Sequence, residues 1–92
     1  MTDSSVTQRC NFTIARPTLE QGSSGDAVKQ AQCLLNFSLT GDGLALDGVF
    51  GPVTDAATRR FQKCADITVD GVIGSQTWSF LTFWANSEGF AC

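Results

Sequence analysis

Two aspartates stand in matching frames. Asp47 opens a stretch reading D-G-V-F-G-x-x-T that ends at Thr54, and Asp70 opens D-G-V-I-G-x-x-T ending at Thr77, an offset of 23 residues. Paired carboxylates suggest either a metal site or an acid–base pair. A calcium loop needs oxygen ligands at its first, third and fifth positions and a later acid. Counting from Asp42 puts Leu44 and Leu46 in those positions, and counting from Asp47 puts Val49 and Gly51 there, so both frames fail. A glycosidase needs two carboxyl groups facing a sugar across a cleft, and 92 residues leave little chain to build one. The chain has no histidine, which removes His-based triads and zinc amidase chemistry. A cysteine nucleophile would need a partner base, and none is evident. No catalytic residue, metal or cofactor is expected.

The aspartates have a local use instead. An Asp side chain can accept hydrogen bonds from backbone N–H groups just ahead of it, forming an Asx-turn. Gly48 and Gly71 supply backbone angles that a residue with Cβ resists. Phe50 and Ile73 plug the two loops into the core. A short repeat of this period indicates a stacked supersecondary unit.

Three helices must position these loops. The turn chemistry of Gln21-Gly22-Ser23-Ser24-Gly25 leads into a first helix over about Asp26–Phe37, where Val28, Ala31, Leu34 and Leu35 form an apolar stripe. Gly51 can cap a second helix over Pro52–Cys64, with proline tolerated at its first position. Its expected inner face is Val53, Ala56, Ala57, Phe61 and Cys64. A third helix, about Ser75–Trp84, turns Trp78 and Leu81 inward. Phe80, Phe83 and Trp84 exceed what one helix face can bury: either they pack under the N-terminal segment, with Phe12 and Ile14 as cover, or one is exposed to stack on sugar, and packing is expected. The fold class is all-α: a small three-helix domain with two Asp-Gly loops, disulfide-stapled, spanning residues 10–92 behind a flexible polar leader at 1–9.

The four cysteines, Cys10, Cys33, Cys64 and Cys92, contain no close pair, unlike the ligands of structural zinc sites. A chain this short buries only roughly 60–65% of its unfolded surface, and domains of that size are commonly stapled. Disulfides imply an oxidising compartment, hence a secreted or cell-wall location. Residues 1–5 lack the basic start and apolar stretch of an export signal. Either another start has replaced the signal or export follows another route, and the first is expected. Four cysteines allow three pairings. Cys33 late in the first helix and Cys64 at the end of the second can meet if the helices are neighbours, and chain termini are often close in space. The expected pairs are therefore Cys33–Cys64 and Cys10–Cys92. A net charge of −3 argues against nucleic acid and against electrostatic membrane binding, and no apolar run reaches the ~20 residues of a membrane span.

The order Gly22-x-x-Gly25-x-x-Val28, Gln32, Leu35, the first D-G loop, Phe61-Gln62, the second D-G loop, then Thr77-Trp78 and Leu81 resembles the small peptidoglycan-binding domain found on cell-wall amidases, lytic transglycosylases, carboxypeptidases and phage lysins. A similar fold serves as the prodomain of some metalloproteinases. The resemblance covers about residues 17–81. Ala31 stands where a leucine is usual, Cys64-Ala65-Asp66 replaces a usual glycine, and the chain runs on through Phe83 and Trp84 to Cys92.

The resemblance implies a non-catalytic, monomeric anchor or targeting module for bacterial peptidoglycan, glycan and stem peptide together, with a cell-wall hydrolase in the parent protein as an implied partner. The site expected partly from it is a shallow groove bordered by the first D-G loop and the second helix, using Asp47, Phe50, Arg59, Gln62 and Trp78. The alternative is a protein-interaction or inhibitory module on the same fold without glycan affinity. A small lysin is a third reading.

Overall fold

The computed structural model describes residues 10–39 and 43–85. The leader at 1–9 and the tail from residue 86, including Cys92, lie outside the described residues. Three helices carry the fold: α1 Asp26–Ser38, α2 Pro52–Cys64 and α3 Ser75–Ala85. Their starts coincide with the glycine turns read from the sequence. Gly25 caps α1 at φ 118°, and Asp26 sits in its first turn, where a negative charge suits the helix dipole. Gly51 caps α2 from an extended conformation, with Pro52 at its first position.

The first helix is central. All six residues from Gln30 to Leu35 are buried, because α1 packs against both α3 and α2 and against the segment that precedes it. Its predicted stripe, Val28, Ala31, Leu34 and Leu35, lies in the core together with Phe50, Phe61, Ile73, Trp78 and Leu81. The Phe61 ring meets Trp84 edge-on at 5.3 Å.

No strand forms among the described residues, but residues 19–25 stitch both loops in place. Leu19 exchanges hydrogen bonds of 3.0 and 2.8 Å with Ile73 of the second loop, while Gly22, Ser23 and Gly25 bond Phe50 and Gly48 of the first at 2.9 Å. Four glycines have positive φ; the two that matter most are Gly48 at 73° and Gly71 at 74°, each within a loop and each buried.

The structure corrects three expectations. The buried face of α2 is Thr54, Thr58, Phe61 and Gln62, whereas Val53 is 71% exposed and Ala56 and Cys64 are also exposed. The helix is rotated by about one residue from the apolar reading. Threonines can occupy the buried face because their hydroxyls are satisfied: Thr58 Oγ1 donates to the Thr54 carbonyl at 2.9 Å, and Thr54 bonds the first loop. The second correction concerns cover for α3. Ile14 is 91% and Phe83 57% exposed, so the N-terminal segment does not cover Phe83. That segment is tied to α1 instead, through Gln30, which donates to the Cys10 carbonyl at 2.7 Å and accepts from the Phe12 N–H at 2.9 Å.

The third correction follows from the second. Cys10 pairs with Cys33, at a Cα–Cα distance of 5.7 Å. This overturns both Cys33–Cys64 and Cys10–Cys92. The physical reason is the side of α1 that Cys33 occupies: with Gln30 one turn earlier it faces the N-terminal segment, not α2. Cys64 is also in a disulfide.

Candidate functional site

Each Asp-Gly loop is built around one buried glutamine. In the first loop, Asp47 Oδ1 accepts from the Val49 N–H at 2.9 Å and from Gln32 Nε2 at 3.0 Å. Gln32 Nε2 also reaches the Val49 carbonyl at 3.1 Å and Thr54 Oγ1 at 3.0 Å, and Gln32 Oε1 accepts from the Gly48 N–H at 3.1 Å. The second loop repeats the pattern. Asp70 Oδ1 accepts from Val72 N–H at 2.9 Å and Gln62 Nε2 at 3.0 Å. Gln62 Nε2 reaches the Val72 carbonyl at 2.9 Å and Thr77 Oγ1 at 3.2 Å, while its Oε1 accepts from the Asp70 and Gly71 N–H groups at 3.1 and 3.0 Å. Two amide hydrogens serve three acceptors in each case, so at least one is shared.

This wiring sets the charge state of the aspartates. The Val49 N–H, then the Gln32 amide, hold the Asp47 carboxyl below its ordinary value. The Val72 N–H, then Gln62, do the same for Asp70, with the Arg59 charge adding to the effect. Hydrogen bonds to the ionised form favour that form. Both groups are therefore anionic acceptors near neutral pH and have no proton to deliver. Among the described residues, no three acidic or cysteine side chains stand close enough to hold a metal ion.

Beside the first loop lies a pocket of about 330 Å³, whose walls include Leu44, Val49, Pro52, Val53 and Thr54 around Asp47. Val49 is 55% exposed. Asp47 is itself exposed, with Oδ1 taking the bonds from Val49 and Gln32. An apolar concavity with one fixed acceptor is the usual form of a small-ligand site.

The five residues expected at the site are not brought together. Asp47 is in this pocket. Phe50 is buried beneath the first loop. Gln62 is fully buried, and its amide bonds Asp70, Gly71, Val72 and Thr77 of the second loop. Arg59 is on the flank of α2 that faces the second loop, bonded to Asp55 at 3.1 Å. Trp78 is buried against the N-terminal segment, with Nε1 donating to the Pro17 carbonyl at 2.7 Å. Helix α2 leads directly into the second loop, which is why its Arg59 and Gln62 serve that loop. Sequence reading missed the apolar walls Leu44, Val49 and Val53. The apolar pattern places Val53 on the inner face of the second helix and gives Leu44 and Val49 no site role, although the apolar residues on either side of Asp47 carried the signal.

The model of the putative peptidoglycan binding domain family matches residues 24–81. A protein of Kitasatospora aureofaciens is 43% identical over 86 residues, covering 92% of this chain and 72% of the relative. The zinc D-Ala-D-Ala carboxypeptidase of Streptomyces albus G is 46% identical over 63 residues, 67% of this chain and only 25% of the enzyme. Among solved structures, a peptidoglycan-binding protein of Clostridioides difficile superposes with a TM-score of 0.74 at 34% identity, covering 82% of this chain and 47% of that one.

Proposed function

Because the chain belongs to the peptidoglycan-binding domain family, whose domains are binding modules, we propose that it is a non-catalytic monomer that holds bacterial cell-wall peptidoglycan through the pocket of the first Asp-Gly loop. The observation that carries this reading is the fixed Asp47 carboxylate inside an apolar rim. In this reading Asp47 Oδ2 takes an N–H group of a stem peptide, and Leu44, Val49 and Val53 receive its aliphatic carbons. Phe50, buried under the loop, positions the rim. Arg59 and Gln62 hold the second loop, and Trp78 holds the N-terminal segment.

Such a module raises the local concentration of whatever it is joined to near a polymeric substrate, and a cell-wall hydrolase is the partner this favours. The domain acts outside the cytoplasm, where its disulfides persist. No helix among the described residues is long and apolar enough to cross a membrane.

Retention on purified insoluble peptidoglycan tests the reading. Asp47→Asn keeps an oxygen acceptor for Val49 and Gln32 but removes the charge. Val53→Asp places a charge on a wall that is already solvent-exposed. Each should weaken retention by roughly tenfold, the loss of one charge-assisted hydrogen bond or a disrupted apolar contact; Asp47→Asn also gives up the ionised carboxylate's part in the loop, so retention is read well below its melting temperature. Unchanged retention in both variants would move the contact away from this pocket. If the parent protein itself is not retained, the alternative of a protein-interaction module on this fold takes over. Clearing of a cell-wall suspension would contradict the non-catalytic assignment.

A further inference from the structure

A second concavity lies where the segment before α1 meets α3. It has a volume of about 500 Å³ and is lined by Arg16, Trp78, Ser79, Thr82 and Phe83. A smaller hollow of about 230 Å³ adjoins it through Ser79 and Phe83 and includes Phe80.

Arg16 is held in place from two sides. Its guanidinium carbon lies 5.0 Å from the centroid of the Trp78 ring, a cation–π distance. Its Nη1 donates to the carbonyls of Thr13 and Ala15 at 2.8 and 3.0 Å. Trp78 is fixed in turn by its bond to Pro17. The arrangement uses one edge of the guanidinium and leaves Nε and Nη2 without an acceptor among the described residues. Among the described residues, Arg16 is the one charged side chain lining this groove. In a chain of net charge −3, this cation has no carboxylate partner among the described residues, although Arg59 has one.

A guanidinium pre-set on an aromatic face with donors still open is suited to a carboxylate. The neighbouring Phe83 ring, 57% exposed, offers an apolar surface beside it. We propose that this groove is a second subsite, which takes the carboxylate of a muropeptide on Arg16 while the carbon face of the attached sugar or peptide lies on Phe83. The proposal rests on the peptidoglycan reading and extends it: the first pocket presents an acceptor, the second a donor, and a stem peptide carries both complementary groups. A nucleic acid is disfavoured by the acidic balance of the chain.

The indole N–H of Trp78 is a direct reporter, because it sits under Arg16. Isotope-labelled protein is titrated with muramyl dipeptide, which has one free carboxylate, with its methyl ester, and with inorganic phosphate. The expected result is a saturable shift of the Trp78 indole signal with muramyl dipeptide. Binding should be weaker by about tenfold or more for the ester and for Arg16→Gln. Absence of a saturable shift overturns the subsite. An equal response to the ester, to phosphate or in Arg16→Gln overturns the carboxylate assignment. Retention of the parent protein on peptidoglycan with no Trp78 response sinks the subsite and leaves the first reading standing. A Trp78 response without retention does the reverse.

Discussion

Gln32 and Gln62 show how far a residue's type can mislead about its use. A glutamine beside Arg59, Arg60 and Lys63 reads as part of a solvated or ligand-binding face. In the structure Gln62 is fully buried and wires Asp70, Gly71, Val72 and Thr77 to α2. Burying an amide is costly unless its hydrogen bonds are made, and here both of its ends are used. Gln62→Leu would leave the Gly71 N–H and the Val72 carbonyl without this partner. Unsatisfied buried groups cost roughly 1–3 kcal/mol each, so the variant should lose about 2–6 kcal/mol. Arg59→Ala removes a partly exposed ion pair whose arginine side chain is 49% accessible, worth about 0–1 kcal/mol. Urea unfolding separates the two. Equal midpoints would mean that the loops hold without their glutamines.

At the scale of elements, helix positions were legible because their starts are marked by residues with local physical consequences. Gly25, Gly51 and Pro52 act on the backbone directly, and no tertiary contact is needed to read them. The facing of α2 was not legible in the same way. Apolar periodicity selects Val53 and Ala57, but the loops need Thr54 and Gln62 turned inward, and a satisfied threonine face displaced an alanine–valine one. The matching slots of Thr54 and Thr77 in the repeat contained the clue. The loops themselves yield a pH prediction. The Asp47 and Asp70 carboxyls are held below their ordinary values by backbone N–H groups. A group with a depressed folded value contributes stability that is complete above its unfolded value, near ~3.9 for Asp, and that disappears as pH falls through the folded value. The melting temperature should therefore be insensitive to these groups above about pH 5 and fall below about pH 4. Asp70→Asn keeps an oxygen acceptor and removes the titration, so its acid limb should be shallower than the parent's. An identical limb would locate acid sensitivity elsewhere.

At the scale of the whole molecule, the cysteine pairing was hidden because it depends on which neighbour faces which side of α1. Six consecutive buried residues, Gln30 to Leu35, tell a reader that this helix is central but not which way Cys33 looks. Gln30 settles the direction: it bonds Cys10 and Phe12 and brings the N-terminal segment alongside α1. Cys10–Cys33 then closes a loop over a sequence separation of 23. In the chain-entropy account such a loop is worth roughly 3.5 kcal/mol. The bond also fixes the start of the segment that carries Arg16 and Pro17 to Trp78, and later stitches Leu19 to Ile73. Removing it should act on both counts. The double variant Cys10→Ser, Cys33→Ser should lose up to about 3 kcal/mol, or roughly 10–25 °C in melting temperature for a domain of this size. Its Trp78 indole signal should shift toward solvent-exposed values before the core melts, since Phe61 and Leu35 do not depend on the staple. Non-reducing peptide mapping of the parent should yield a fragment joining Cys10 to Cys33. A fragment joining Cys33 to Cys64 instead would overturn the placement of the N-terminal segment and, with it, the groove that Arg16 lines.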